Sequence, residues 1–323
     1  MRPPFEITPH AASLLAEIER LLGRHDGAMA SAPSPLLRRS SRIRTIQASL
    51  QIEGNTLSED QVTAVIEGKK VIAPERDLRE VRNAIECYDA MSGWNPWSSK
   101  HFLIAHGIMM KGLVNRPGHW RTRGVGIAKG NVISHVAPPA DRVPGLVGSL
   151  LDWAKRDTVV PAPIRAAVCH YELEFIHPFE DGNGRMGRLW HSLILIRYHE
   201  LFSQIPVESV IRDRQADYYA VLGQCDKAGK STAFIDFALE VTLEAFSDLE
   251  KRRMPRMVPE ERLEMARGRF RQQEFSRKNY LDLFPSLSAP TASRDLQLAV
   301  RQGFLSREGD KALSTYRFIP LKG

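Results

Sequence analysis

One glycine-rich segment constrains the fold more than any other part of the chain. Over residues 176–188 it reads Ile-His-Pro-Phe-Glu-Asp-Gly-Asn-Gly-Arg-Met-Gly-Arg. The pair His177-Pro178 ends one apolar helix because proline cannot continue it, and the turn formers that follow predict a new helix from about Asn183. The chain must therefore join two helices through a short, tight turn, and that turn exposes backbone N–H groups at a helix N-terminus.

Most of the remaining chain has the pattern of helices. A capping box of Ser58 with Gln61 begins one helix and Gly68 ends it. Further helices are predicted over about 74–93, 98–108, 141–155, 161–177, 212–225 and 231–250. The one convincing β element before residue 300 is a hairpin within 121–140, which alternates loosely around a Gly-Asn pair. The sequence thus predicts a mainly α-helical protein with a small β-hairpin.

The positive charge of the chain is concentrated at one end. The 323 residues carry a formal net charge of +7. Residues 251–323 hold 16 Lys and Arg against 8 Asp and Glu, whereas residues 1–250 hold 29 against 30. The charge therefore predicts a polyanionic partner for the last quarter of the chain alone.

Cysteine usage and hydropathy indicate a cytoplasmic protein. Cys87, Cys169 and Cys225 are far apart, which excludes a disulfide framework and the usual zinc spacings and fits a reducing compartment. The first ten residues, MRPPFEITPH, lack the apolar core of a signal peptide. No run approaches the roughly 18 apolar residues that a membrane span needs, so no membrane association is expected.

The residue types in the glycine-rich segment indicate an anion site. Arg185 and Arg188 are three residues apart and reach the same face of the new helix. A helix N-terminus normally favours acids, so two arginines there indicate a polyanionic ligand. Asp181 is an oxygen ligand suited to Mg²⁺, and His177 is a candidate base. The alternative is a polar turn between helices without a ligand.

Two motif matches in the chain are rejected on structural context. Gly182, Gly184 and Gly187 satisfy the dinucleotide pattern GxGxxG, but they follow a helix and not a strand. Gly229-Lys230-Ser231 resembles the end of a Walker A loop, but Gln224 stands where that motif needs glycine.

The chain resembles the Fic-domain family over most of its length. Residues His177 to Arg188 match its motif HPFxDGNGRxxR without gaps or mismatches. Residues Ser49 to Gly54 match the inhibitory-helix motif [S/T]xxxE[G/N], and the hairpin before Pro138-Pro139 lies where these proteins carry a flap. The pair Tyr218-Tyr219 resembles tyrosines that line the nucleotide base pocket in relatives.

The resemblance implies a protein adenylyltransferase, which transfers AMP from ATP to a Ser, Thr or Tyr hydroxyl of a target protein that the sequence does not identify. His177 would deprotonate that hydroxyl, Asp181 would hold Mg²⁺ (or Mn²⁺), and Arg185 would neutralise the β- and γ-phosphates. Phe179 would anchor the loop in the core. The nucleotide-binding residues implied in this way are Asp181, Gly182, Asn183, Gly184, Arg185, Arg188, Tyr218, Tyr219, and Ile133, Ser134, His135 and Val136 of the flap edge.

Glu53 is predicted to inhibit the enzyme. It lies near the C-terminus of its helix, where the helix dipole disfavours an acid, so that a cationic partner is expected. The resemblance names that partner as Arg188 and implies that Glu53, with Ser49, blocks the place of the ATP γ-phosphate. Auto-AMPylation is expected to rise without Glu53. Some relatives use the same glutamate to remove AMP, which leaves the direction of the reaction open.

The flap could pair with an extended target segment by β-augmentation, or it could be an ordinary hairpin. His135 is expected to be a flap contact and not a metal ligand, since no second ligand lies at a useful spacing. Asp226 stands where some relatives have an asparagine that contacts the nucleotide, which puts that contact in doubt.

The predicted organisation is an N-terminal helical region over 1–97 with an inhibitory helix at about 36–54, a Fic core over 98–250, a linker over 251–262 and a winged helix-turn-helix-like domain over 263–323. In the last domain Thr291 is expected to cap a second helix that carries Arg294 and Gln297, as in modules that read DNA. Dimerisation or target docking is the alternative, and a homodimer is left open.

The sequence leaves two further functions open. One is a DNA-binding regulator whose Fic core senses nucleotide, and the other is a Fic enzyme that transfers a different group or reverses the reaction.

Overall fold

The computed structural model describes residues 2–27, 35–129, 132–253, 258–284, 287–309 and 314–319. The chain divides into two compact units, Met1–Leu249 and Glu250–Gly323. Among the described residues, no helix combines the length and the apolar character that crossing a membrane requires.

The first unit is helical, as the sequence predicts. Its helices, in chain order, are α1 (Pro9–Gly27), α2 (Pro35–Ile52), α3 (Glu59–Ile66), α4 (Glu75–Ala90), α5 (Ser99–Met109), α6 (Val143–Arg156), α7 (Ala162–Ile176), α8 (Asn183–Tyr198), α9 (Val207–Asp213), α10 (Gln215–Ala228) and α11 (Thr232–Arg253).

The predicted hairpin is present between α5 and α6. Strands β1 (Gly126–Lys129) and β2 (Val132–Val136) pair antiparallel with Ile127 opposite His135, and the register shifts between Ile127 and Ala128. The mainly α-helical fold with a small β-hairpin is confirmed.

Helices α7 and α8 form the centre of the first unit. Both are buried on nearly every side, which is typical of a helix surrounded by other helices. Phe102 of α5 packs edge-on against Trp190 of α8, and it also lies beside Phe179 in the turn between α7 and α8. The packing of the core thus fixes the two ends of that turn.

The starts of α3 and α6 can be compared with the sequence-based predictions. Ser58 caps α3 through the backbone N–H of Gln61, whose side chain in turn accepts from the Ser58 N–H, as the sequence predicts. The helix predicted from Asp141 instead begins with a single 3₁₀ turn over Ala140–Arg142, and α6 starts at Val143.

The second unit contains α12 (Pro259–Phe270), β3 (Phe275–Ser276), α13 (Arg277–Leu283), α14 (Ala289–Arg301), β4 (Leu305–Glu308) and β5 (Thr315–Phe318). Strand β5 lies between β3 and β4 and is antiparallel to both. Two helices in succession followed by two strands are the order that a winged helix-turn-helix would have. The unit has a hydrophobic core of its own, centred on Tyr280, Leu296 and Phe275.

Three details of this region differ from the sequence-based expectations. The stretch 251–262, predicted to be a linker, is helical at both ends because α11 continues to Arg253 and α12 begins at Pro259. Strand β3 was not predicted. Helix α14 is capped by Ser288 and not by Thr291, whose backbone N–H donates to the Ser288 hydroxyl at 3.3 Å.

A buried ion pair joins the helices of the second unit. Arg262 of α12 donates two hydrogen bonds to the carboxylate of Asp295 in α14, at 2.6 and 2.9 Å. The hydroxyl of Tyr280 lies 3.3 Å from the same carboxylate. Because the ion pair is bidentate and shielded from water, each charged group needs the other as its counter-charge.

We expect Asp295→Ala to destabilise the second unit by about 3–5 kcal/mol, because it leaves the Arg262 guanidinium buried without a counter-charge. Hydrogen exchange of the full chain should show faster exchange across 259–318. Asp282→Ala, at an exposed position of α13, is the control. Equal effects of the two substitutions would contradict the role given to the ion pair.

Candidate active site

The turn between α7 and α8 has two residues with left-handed backbone conformations. His177 follows α7 with φ 50° and ψ 61°, and Gly182 precedes α8 with φ 85°. A Cβ at Gly182 would lie 2.6 Å from the Met110 sulfur, so only glycine fits there. We call the segment from His177 to Gly184 the anion loop.

Asn183 and Phe179 hold the anion loop closed. The Asn183 side chain accepts from the Phe179 N–H at 2.9 Å and donates to the Phe179 carbonyl at 3.0 Å. The Phe179 ring is fully buried and stacks on the His106 ring with centroids 3.6 Å apart. The structure therefore places Phe179 in the core, where the sequence analysis puts it.

His106 supports the loop from α5, although no sequence signal singles it out. The Gly118 N–H donates to His106 Nδ1 at 2.8 Å, so Nε2 carries the proton and donates to the Asp181 carbonyl at 3.0 Å. Burial lowers the pKa of His106 to about 4, which keeps the ring neutral.

Arg121 is a second supporting residue that sequence analysis missed. Its Nε donates to the His177 carbonyl at 2.7 Å, and its Nη2 donates to the carbonyls of Ile176 (3.3 Å) and Pro138 (2.5 Å). Its backbone N–H donates to the Pro178 carbonyl at 3.0 Å. A buried arginine thus satisfies carbonyl groups at the negative end of α7, next to the base of the hairpin.

Arg188 connects α8 to α2 and to the residue that follows it. Its side chain is 1% exposed. Nε donates to the Ser49 hydroxyl at 3.1 Å, and Nη2 donates to the Ser49 carbonyl at 3.0 Å and to Glu53 Oε1 at 2.7 Å. Burial alone would lower the pKa of Arg188, but Glu53, Tyr218 and Glu174 raise it above its ordinary value. The structure thus brings together the two motifs that the sequence analysis pairs.

Gly184 makes room for this ion pair. A Cβ built on Gly184 would collide with Glu53 Oε1 and would lie 3.0 Å from Arg188 Nη1. The Glu53 side chain remains 29% exposed, so one side of the pair faces solvent. The carboxylate of Glu53 therefore occupies space directly over the start of α8.

Arg185 points to a different set of carboxylates. Its Nη1 lies 3.3 Å from Glu80 Oε1, and its Nη2 lies 3.3 Å from Asp181 Oδ1. Asp181 is 45% exposed and also accepts from the Gly182 N–H at 2.6 Å. Arg185 and the metal ligand predicted at Asp181 are therefore in contact.

The tyrosine pair does not present two rings to the surface. Tyr218 is buried, with its hydroxyl 3.1 Å from His170 Nε2 and 3.5 Å from Glu174 Oε1. Tyr219 is 44% exposed. A role in the base pocket stays a prediction for both, and Tyr219 is the ring that a ligand could reach. Asp226 accepts from the hydroxyl of Tyr171 at 3.1 Å.

The remaining predicted site residues, Ile133, Ser134, His135 and Val136, lie in β2. Strand β2 lies beside α10, the helix that carries the tyrosine pair. The side chains of the β2 residues fall outside what the structure describes.

Comparisons with a family model and with a solved structure identify the family. Residues 96–195 match the Fic/DOC family. A crystal structure of a Fic family protein from Desulfovibrio desulfuricans G20 is 40% identical, covers all of this chain and 99% of its own, and superposes with a TM-score of 0.74. The chain belongs to the Fic family.

Curated relatives carry names that refer to an activity. Protein adenylyltransferase fic-1 of Caenorhabditis briggsae is 34% identical over 186 residues, which cover 54% of this chain and 34% of that protein. Protein adenylyltransferase Fic of Nematostella vectensis is 30% identical over 61% of this chain and 46% of its own. The chain thus spans a third to a half of the length of these relatives.

A largely buried carboxylate beside Arg188, that of Glu174, is expected to make stability depend on pH. Glu174 lies where Gly187 lacks a side chain, since a Cβ on Gly187 would be 2.6 Å from Glu174 Oε1. Burial raises the pKa of Glu174 to about 7, although Arg188 partly opposes the shift. The folded protein therefore keeps a proton that the unfolded chain releases at lower pH.

We expect Glu174→Gln to reduce the loss of stability between pH 5 and pH 8. The stabilising contribution of a raised carboxyl pKa is complete below the ordinary value of 4.5 and is lost as the pH rises through about 7. Urea unfolding of the parent chain and the variant at several pH values measures the free energy of unfolding on which this prediction depends. If the parent and the variant lost stability in parallel, the assignment to Glu174 would be wrong.

Proposed function

We propose that this chain is a protein adenylyltransferase that its own Glu53 inhibits. The observation that carries the proposal is the anion loop, where His177 stands at the end of α7 and the uncapped N-terminus of α8 carries two buried arginines. The names of the curated relatives support the same activity.

The start of α8 suits the phosphates of ATP. No side chain caps this helix, so its first N–H groups are available to an anion. The backbone of Gly182, Asn183 and Gly184 would cradle the phosphates, and the cation of Arg185 would lie beside them. Such a site stabilises phosphate charge through groups that are already in place before ATP binds.

The residues present also fit Mg²⁺ or Mn²⁺ held at Asp181. Its carboxylate is partly exposed and lies next to the phosphate-binding backbone. Among the described residues, no three His, Cys, Asp or Glu side chains form a metal cage, so the phosphates and water would supply the other ligands. A bound cation would neutralise phosphate charge.

His177 would act as the general base. It would take the proton of a target Ser, Thr or Tyr hydroxyl as the hydroxyl oxygen attacks the α-phosphorus of ATP. A bond from that oxygen to phosphorus forms, the bond from phosphorus to the bridging oxygen breaks, and pyrophosphate leaves with its electrons. The bonds from Arg121 to the carbonyls around His177 keep this residue in place.

The contact between Glu53 and Arg188 would inhibit the transfer. A carboxylate on Arg188 competes with the γ-phosphate of ATP for the same buried guanidinium. ATP could then still bind, but not with its γ-phosphate on Arg188, and the α-phosphorus would be misplaced relative to His177.

We expect Glu53→Gly to raise the labelling of target proteins, or of the chain itself, by about tenfold or more when radiolabelled ATP and Mg²⁺ are supplied. A tenfold rise in rate corresponds to a fall of about 1.4 kcal/mol in the activation free energy. His177→Ala in the same background should lower the rate by about 10²–10⁴-fold, since it removes the base.

Glu67→Gly is the matched control, because Glu67 also ends a helix just before a glycine. It should leave labelling unchanged. The proposal fails if Glu53→Gly labels no protein in a cell lysate, or if the label is insensitive to His177→Ala.

A second candidate function, DNA binding, rests on the second unit. Arg294, Gln297 and Arg301 are exposed and lie along one side of α14, the second helix of the helical pair. Residues 251–323 also carry the excess of positive charge. We propose that α14 contacts DNA in the manner of a recognition helix.

Electrophoretic mobility shifts with the full chain and duplex DNA test this second function. Binding should weaken steeply with salt, and Arg294→Ala should weaken it by about 5- to 100-fold. Arg82→Ala, at an exposed position of α4 in the first unit, should have no effect. Absence of binding at low salt removes the DNA hypothesis and leaves docking or dimerisation for this unit.

A further inference from the structure

Glu80 of α4 lies between the first turn of α8 and the segment that follows Glu53. The residue is 7% exposed, and its two carboxylate oxygens face different partners. Oε2 accepts from the Asn55 side-chain amide at 2.9 Å, whereas Oε1 lies 3.3 Å from Arg185 Nη1. One buried carboxylate therefore contacts both parts of the site.

The side chains of the segment after Glu53 bond to the first turns of α4. The Asn55 amide also donates to the Asp77 carbonyl at 3.2 Å. The backbone N–H and the hydroxyl of Thr56 both donate to Asp77 Oδ2, at 3.1 and 2.7 Å. Because Asn55 is two residues beyond Glu53, these bonds limit how far the end of α2 can move away from Arg188.

The other oxygen of Glu80 contacts the guanidinium of Arg185. The Arg185 side chain is buried, and its guanidinium lies at equal distances from Glu80 and Asp181. Without Glu80, Asp181 would be its main remaining carboxylate partner, and the ion pair would close over the predicted metal ligand. Arg76 lies 3.5 Å from Glu80 but is largely exposed, so it cannot replace Arg185 as the buried counter-charge.

We propose that Glu80 is a positioning residue with two roles: it aims Arg185 at the nucleotide phosphates and, through Asn55, it holds Glu53 on Arg188. The inference rests on the proposed function, because it assigns new residues to the same site. It implies that the first turns of α4 set the strength of inhibition without touching the nucleotide.

The two roles predict opposite effects on ATP affinity: loss of the link to Glu53 should raise it, and loss of the Arg185 contact should lower it. The first effect requires Glu53. Asn55→Ala removes the link to Glu53 and leaves the ion pair of Glu80 with Arg185. Glu80→Gln keeps the shape of the side chain but weakens both roles. The effect of each substitution should therefore differ between chains that have Glu53 and chains that carry Glu53→Gly.

Calorimetric titration of ATP with Mg²⁺ into chains that carry His177→Ala measures affinity without turnover. Asn55→Ala should tighten ATP binding by about fivefold or more when Glu53 is present, and by less than about twofold with Glu53→Gly. Glu80→Gln should weaken ATP binding with Glu53→Gly, and it should weaken it less, or tighten it, when Glu53 is present. Glu86→Gln, exposed on the same helix, should change neither.

Labelling assays with His177 intact provide the second readout. Asn55→Ala should raise the rate only in the chain with Glu53, and Glu80→Gln should lower it with Glu53→Gly. The inference is overturned if each substitution changes affinity by the same factor in both backgrounds. If no variant binds ATP, including Glu53→Gly, both the proposed function and this inference fail. If the variants bind ATP but each substitution changes the affinity equally in both backgrounds, only the role of Glu80 is refuted and the proposed function stands.

Discussion

The buried guanidinium of Arg188 is the constraint on which the arrangement of the site depends. A charged group with 1% exposure needs a counter-charge and hydrogen-bond acceptors, because an uncompensated buried charge costs several kcal/mol. The partners that the fold supplies are Ser49 and Glu53, more than 130 residues earlier in the chain. Helix α2 thus contributes to the proposed anion site as well as to the hydrophobic core.

Local sequence chemistry predicted the framework of this site. The proline after His177, the turn formers before Asn183 and the capping box at Ser58 each act within a few residues, so the sequence alone locates them. The pairing of Glu53 with Arg188 is long-range. It was predicted because an acid at the end of a helix needs a cation and because two separate motifs match one family.

The supporting residues could not be predicted in the same way. The contacts by which these residues hold the site are long-range: His106 lies 75 residues from Asp181, Arg121 lies 56 residues from His177, and Glu80 lies 25 residues from Asn55 and 105 from Arg185. Their surroundings in the chain show no motif. The prediction that Thr291 caps α14 was wrong for a different reason. Ser288 and Thr291 are both good caps, and Pro290 favours Ser288 because proline is accommodated in the first helical turn.

The contacts of Arg121 have a mechanical consequence for the hairpin. One guanidinium binds the carbonyl of Pro138, at the foot of β2, and the carbonyls of Ile176 and His177. The foot of the hairpin and the backbone of His177 are therefore both hydrogen-bonded to Arg121. A peptide that displaced the hairpin would therefore act on the backbone of His177 and Pro178 through Arg121, by its guanidinium and by its own N–H.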